Sequence, residues 1–161
     1  MNPRAQLTAG ETIRVPNVQR ETPPRAARVV IDASDRSVAL VDAAGCAFAR
    51  YPASMGSEND PPPVGTWKIT ETIRDPTFFY NPDLFWDADP SHSKAKLPAG
   101  PNNPVGVVWV GLSKDHYGIH GTPEPSTIGR TQSHGCIRLT NWDAAELASA
   151  VKVGTPVVIQ E

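Results

Sequence analysis

Cysteine is scarce in this chain. Only Cys46 and Cys136 stand among 161 residues, which is too few for the disulfide framework of a small secreted domain. A chain of this length buries about two thirds of its unfolded surface, so it needs no covalent staple or structural metal to fold. Long apolar runs are missing too. No stretch approaches the roughly 18 residues of a membrane-spanning helix. The opening MNPRAQLTAGETIR lacks an apolar core and does not read as a signal peptide. The protein is therefore either cytosolic or numbered without its natural leader. Basic runs are absent: 15 Lys and Arg face 17 Asp and Glu, for a net charge of −2, and the four tryptophans are not interleaved with basic residues. Nothing here forms a nucleic-acid groove.

Proline, by contrast, is abundant. Its 17 copies are roughly twice the average share, clustered in PPR, NDPPPVG, NPD, LPAGPNNP and TPEPS. Proline fixes φ and gives no ladder donor, so these clusters mark loops and strand edges. Residues 1–27 read as an N-terminal appendage, with QRETPPRAA as a linker. The main domain, 28–161, starts near Arg28. RVVIDASDRSVALVDAAGCAFARYPAS gives two or three short strands with turns at ASDRS and DAAG. GTWKITETI alternates Trp67, Ile69 and Glu71 against Lys68, Thr70 and Thr72. Residues 74–104 show no clear period and carry several aromatics, as a functional lid would. VGVVWVGL is a continuous apolar run, expected of a strand buried on both faces. TNWDAAELASAVKVG is the one convincing helix. Thr140 or Asn141 caps it, Leu147, Ala150 and Val151 face inward, and Gly154 ends it. TPVVIQE closes the chain as a strand. Trp109 and Trp142 read as core.

The chemistry concentrates in TQSHGCIRLTN, residues 131–141, and in YGIHGTPEP upstream. A cysteine is a useful acyl-transfer nucleophile only as the thiolate, and at an ordinary pKa about 3% is ionised at pH 7. A neighbouring imidazolium that lowers the pKa to about 6 raises that to roughly 90%, worth about 2 kcal/mol of barrier. Two histidines qualify, His120 and His134. His134 stands at i−2 from Cys136, on the same side of an extended segment. Gly135 between them leaves room for a substrate carbonyl, and the N–H groups of Gly135 and Cys136 suit an oxyanion hole. His120 sits sixteen residues earlier, behind a proline-containing return loop, and faces Cys136 if the two segments pair as strands. The Gly121 carbonyl then orients its ring, as the aspartate of a triad does. Arg138 falls on the same side as the thiol and suits a substrate carboxylate.

Blander readings compete. Cys46 reads as inert packing and His92 as a solvated loop residue. A zinc site from His116, His120, His134 and Cys136 fails on spacing: on a strand, i and i+4 lie about 13 Å apart. No metal or cofactor is implied. The same Cys–His pair also suits a cysteine protease or wall amidase, although papain-like and NlpC-type enzymes place the cysteine before the histidine. A binding module would need no nucleophile.

SHGCIR preceded by IHGT resembles the catalytic signature of the L,D-transpeptidases of YkuD type, and PPPVGTWKI and LPAGPNNPVGVVWVGLS extend the resemblance over residues 28–161. The resemblance implies a mainly β fold, a β-sandwich of mixed sheets with one helix near the C-terminus. It implies Cys136 as nucleophile, His120 as base and Gly121 as the orienting carbonyl. His134 and Gly135 line the oxyanion region, Arg138 contacts substrate, and Ser133 fills the motif's Ser/Thr place. Some members carry Asn where Arg138 stands. The implied reaction is peptidoglycan cross-linking. The thiolate attacks the L,D bond of a tetrapeptide stem, releases the terminal D-Ala, and an amine takes the acyl group. Implied partners are peptidoglycan stem peptides, with carbapenems as covalent inhibitors. The implied location is the cell envelope, and the process is one that builds the wall and sets cell shape. LTAGETIRVPNV resembles the tail of a LysM-type wall-binding module.

Overall fold

The computed structural model describes residues 12, 22–57, 60–84, 88–130 and 135–161. The first strands form where the apolar alternation is cleanest. β1 (Arg28–Asp32) buries Val29 and Ile31 on one face. β2 (Ser37–Val41) is buried along its whole length. β3 (Ala47–Pro52) and β4 (Ser54–Met55) follow, separated by Ala53 alone. Next come β5 (Gly65–Arg74), the short β6 (Phe78–Tyr80) and β7 (Ala95–Leu97), then β8 (Val108–Leu112), β9 (Gly118–His120) and β10 (Ile137–Arg138). The helix α1 (Asn141–Ala150) and β11 (Pro156–Gln160) close the chain.

Nine strands make one mixed sheet in the order β3-β2-β1-β11-β5-β8-β9-β10-β4. The pairs β1–β11 and β9–β10 are parallel and the remaining pairs antiparallel. The two edge strands, β3 and β4, are joined through one residue, so the edges must meet in space. The sheet therefore curls until it is nearly a closed barrel. This corrects the expected sandwich: a single strongly twisted sheet encloses the core, rather than two sheets packed face to face. Mixed pairing and the single C-terminal helix are as expected.

The barrel interior and the helix share one core, which includes Leu40, Ile69, Val110, Ile119, Ile137, Leu139, Leu147 and Ile159. Helix α1 packs on β8 and β9. Of the two possible caps, Thr140 serves: its hydroxyl accepts from the Asp143 N–H at 3.2 Å and donates to the Asp143 carboxylate at 2.7 Å. The helix stops at Ala150, earlier than Gly154. Val151 turns extended, and Gly154, at φ +87°, instead donates its N–H to Ile69 in a turn that feeds β11. In β5 the strict alternation breaks. A bulge between Ile69 and Glu71 leaves Thr70 without a partner position on β8, so the two expected faces do not run the length of the strand. β8 is buried as expected except at Trp109, which is half-exposed.

Residues 74–104, read as periodless, contain the β6–β7 hairpin as a separate two-stranded sheet. Buried Asn103 ties its base: Nδ2 donates to Pro76 O at 3.2 Å and Pro98 O at 2.9 Å, while Oδ1 accepts from Val105 N. Cys46 is exposed in the turn between β2 and β3, where its backbone bonds to Asp42, so it is not a packing residue. Trp142 is 53% exposed and is not core either. Among the described residues no helix is long and apolar enough to cross a membrane.

Candidate active site

β9 lies between β8 and β10, and that placement assembles the site. Ile119 pairs with Ile137 and His120 with Arg138 in parallel register. Ile119 and Ile137 are wholly buried. They take the core side of the sheet, which leaves His120 and Arg138 together on the other face. Cys136 immediately precedes β10, one step from that pair. Its Sγ donates to His116 O at 3.5 Å and also receives the Gly118 N–H. The thiol is thus seated in the turn that leads into His120. His116 holds its carbonyl there from a left-handed φ of +66°, a region histidine visits more readily than most residues.

His120 is 6% exposed. Its Nδ1 lies 2.6 Å from Gly121 O. A carbonyl only accepts, so Nδ1 carries the hydrogen and Nε2 is the free basic nitrogen. The Trp109 indole stacks on the ring, with centroids 5.8 Å apart and planes at 24°, and its Nε1–H donates to Glu71 at 3.2 Å. The indole passes over Gly118, where a Cβ would lie 2.5 Å from it. Gly135, at φ +91°, would need a strained side chain, and that Cβ would meet the Tyr117 ring at 2.7 Å.

Electrostatics correct one expectation. Burial pushes the imidazole pKa down to about 4; the Gly121 carbonyl opposes this, and the Arg138 charge adds to it. Burial likewise raises the Cys136 thiol, against the Gly118 N–H and Arg138, which both lower it. Both shifts favour the neutral forms, a protonated thiol and an unprotonated imidazole, over a thiolate–imidazolium pair. Desolvation is the largest influence on each group, and for both it disfavours the charged form. Tyr117, half-buried against this site, is also raised by burial and by the charges of Asp60 and Cys136.

His134 and Ser133 lie outside the described residues. Of the remaining predicted residues, the structure brings His120, Gly121, Gly135, Cys136 and Arg138 together. The acidic group whose charge reaches Arg138 is Glu124. His92 sits apart on the hairpin, bonded to the Tyr80 hydroxyl at 3.2 Å. Among the described residues no three metal-ligating side chains converge, and His116 contributes its carbonyl rather than its ring. Sequence reasoning missed Trp109 and Tyr117. A signal for both was a glycine close to each of the two residues, Gly118 two positions before His120 and Gly135 immediately before Cys136, because each bare Cα leaves room for a ring.

The fold sets a cysteine just before the strand paired with the one that carries a buried histidine, an arrangement suited to cysteine acyl transfer. The YkuD family, the L,D-transpeptidase catalytic domain, matches residues 26–159. The L,D-transpeptidase YkuD of Bacillus subtilis (strain 168) is 34% identical over 157 residues, covering 97% of this chain and 79% of that protein. Among solved structures, LdtMt1 in complex with imipenem superposes with a TM-score of 0.64 at 24% identity, covering 82% of this chain and 57% of that one. L,D-transpeptidase 3 from Mycobacterium tuberculosis, with a faropenem-derived adduct, gives 0.63 at 23%, covering 83% and 59%. The chain thus spans a little over half the length of these solved proteins. This chain belongs to the YkuD family of L,D-transpeptidase catalytic domains, enzymes of peptidoglycan cross-linking.

Proposed function

We propose that Cys136 is the nucleophile that cleaves the L,D bond of a tetrapeptide stem, with His120 as its base. The carrying observation is the Nδ1 contact of His120 with Gly121 O, which leaves Nε2 free on the face that His120 shares with Arg138. As Sγ attacks the carbonyl of the third stem residue, Nε2 takes the thiol proton. The N–H groups of Gly135 and Cys136 hold the oxyanion; by their motif positions His134 is assigned to the same region and Ser133 to substrate binding, both outside the described residues. The imidazolium, formed in a buried site that disfavours it, then gives its proton to the departing D-Ala amine. An acceptor amine attacks the thioester, loses a proton to Nε2, and the thiol is restored. Arg138 holds a substrate carboxylate.

The same thiol is open to acylation by carbapenems, supported by the imipenem complex and the faropenem-derived adduct of the two solved relatives. A wall substrate puts the domain in the cell envelope, on the periplasmic or outer side of the membrane. The sequence reads as an appendage (1–27) before a catalytic domain (28–161); the boundary moves a few residues earlier, because Arg25, Ala26 and Ala27 hydrogen-bond to Val151, Ala150 and Val41 of the domain.

The test is mass analysis of products from purified disaccharide-tetrapeptides. Loss of the terminal alanine with a cross-linked dimer is the expected result. Tripeptide alone would make water the acceptor, and an unchanged substrate would overturn the reading.

A further inference from the structure

The proposed base works only while the Gly121 carbonyl stays on its ring, and something must hold that carbonyl still. The backbone does part of it: Gly121 N donates to Val108 O at 3.2 Å, and His120 O accepts from Leu139 N at 2.8 Å. Both bonds fix the peptide before Gly121, not the carbonyl after it. The residue that bears it is boxed by two other groups. Gly106, at φ +65°, lies so close that a Cβ on it would stand 2.7 Å from the Gly121 carbonyl carbon. The Asn141 side chain fills the rest: its Oδ1 occupies the space into which a Cβ on either Gly106 or Gly121 would project.

Asn141 is itself anchored. Its Oδ1 accepts from Val107 N at 3.2 Å, and its Nδ2 donates to Pro101 O at 3.4 Å. Helix formation does not need it, because Thr140 does the capping. We propose that Asn141 is a positioning residue, which wedges Gly121 against Gly106 and so keeps the orienting carbonyl on His120 Nδ1. It reaches the reaction only through Gly121. The inference rests on the reading of His120 as the base.

The experiment uses the full chain with ¹⁵N-labelled histidine. In Asn141→Ala, kcat should fall tenfold or more with KM within about twofold, and the downfield Nδ1–H resonance of His120 should shift or be lost to exchange. Asn141→Asp keeps shape and acceptor. It should retain the resonance and fold normally, and the added negative charge should move the acid limb of kcat/KM to higher pH. The two sites should also be coupled. Gly121→Ala alone should lose more than about a hundredfold in kcat, but less than tenfold when introduced into Asn141→Ala, where the oxygen it meets is gone. An unchanged resonance with multiplicative losses would overturn the proposal. A changed resonance with unchanged kinetics would instead overturn His120 as the base.

Discussion

His120 donates its Nδ1–H to the carbonyl of its own successor, Gly121, at 2.6 Å. A neutral peptide group does the orienting that a charged aspartate does in a serine triad. A carbonyl fixes the tautomer but adds no full negative charge, so it offsets little of the burial that holds the imidazole pKa near 4. On the proposed reading of His120 as the base, it takes a proton only as the thiol gives one up.

The pH profile follows. The imidazole must be neutral, so kcat/KM should rise through pH 4, not through the ordinary histidine value near 6.5. The raised thiol adds no falling limb in the neutral range. Initial rates from pH 3.5 to 8 check this, and an acid limb near 6.5 would show that burial does not control His120.

Stability should carry the same proton. The unfolded chain protonates His120 near pH 6.5 and the folded chain only near 4. The unfolded state therefore binds more protons in that window, and stability rises with pH across it and falls on acidification. The loss at pH 4 should be about 3 kcal/mol. The difference in unfolding free energy between wild type and His120→Gln should change by that amount between pH 7 and pH 4. A constant difference would contradict the burial of a neutral ring.

Cys136→Ser should abolish turnover while the fold survives, because serine supplies almost no alkoxide to a base this weak. Residual activity above about a tenth would exclude Cys136 as nucleophile. The resting thiol is protonated and half-buried while Cys46 is exposed. Iodoacetamide at pH 6 should therefore label Cys46 first, as peptide mapping would show. Preferential labelling of Cys136 would indicate a standing thiolate.

Arg138→Lys keeps the charge but loses the planar fork. One lost charge-assisted bond is worth about 1.5–3 kcal/mol, so kcat/KM should fall roughly 10- to 150-fold. The internal alternative is a pairing with Glu124, whose charge reaches the guanidinium. A donor amidated at the relevant carboxylate separates the two. Equal preference of wild type and variant for acid over amide would mean that Arg138 does not read that group.

Thr140→Ala should cost about 1 kcal/mol, within the usual 0.5–2 for a lost cap. It removes both bonds to Asp143. Thr140→Ser should recover most of the loss in Tm, and a Tm unaffected by either change would show that the cap is dispensable.

The motif residues were legible in the sequence because their chemistry is local. A thiol, a glycine and a histidine within three positions, with a second histidine before a glycine, restrict the reaction whatever the surrounding packing. Period-2 alternation likewise exposed β1 and β11, since each buries alternate residues. Tertiary structure alone decided what depends on distant neighbours. Closure of the sheet followed from β3 and β4 meeting at opposite edges, which no local pattern encodes. Burial of His120 against Trp109 lowers its pKa, with the Arg138 charge adding to the effect, because desolvation is a property of the assembled site. Asn141 looked like one more residue at a helix start until the fold set Gly106 and Gly121 against it.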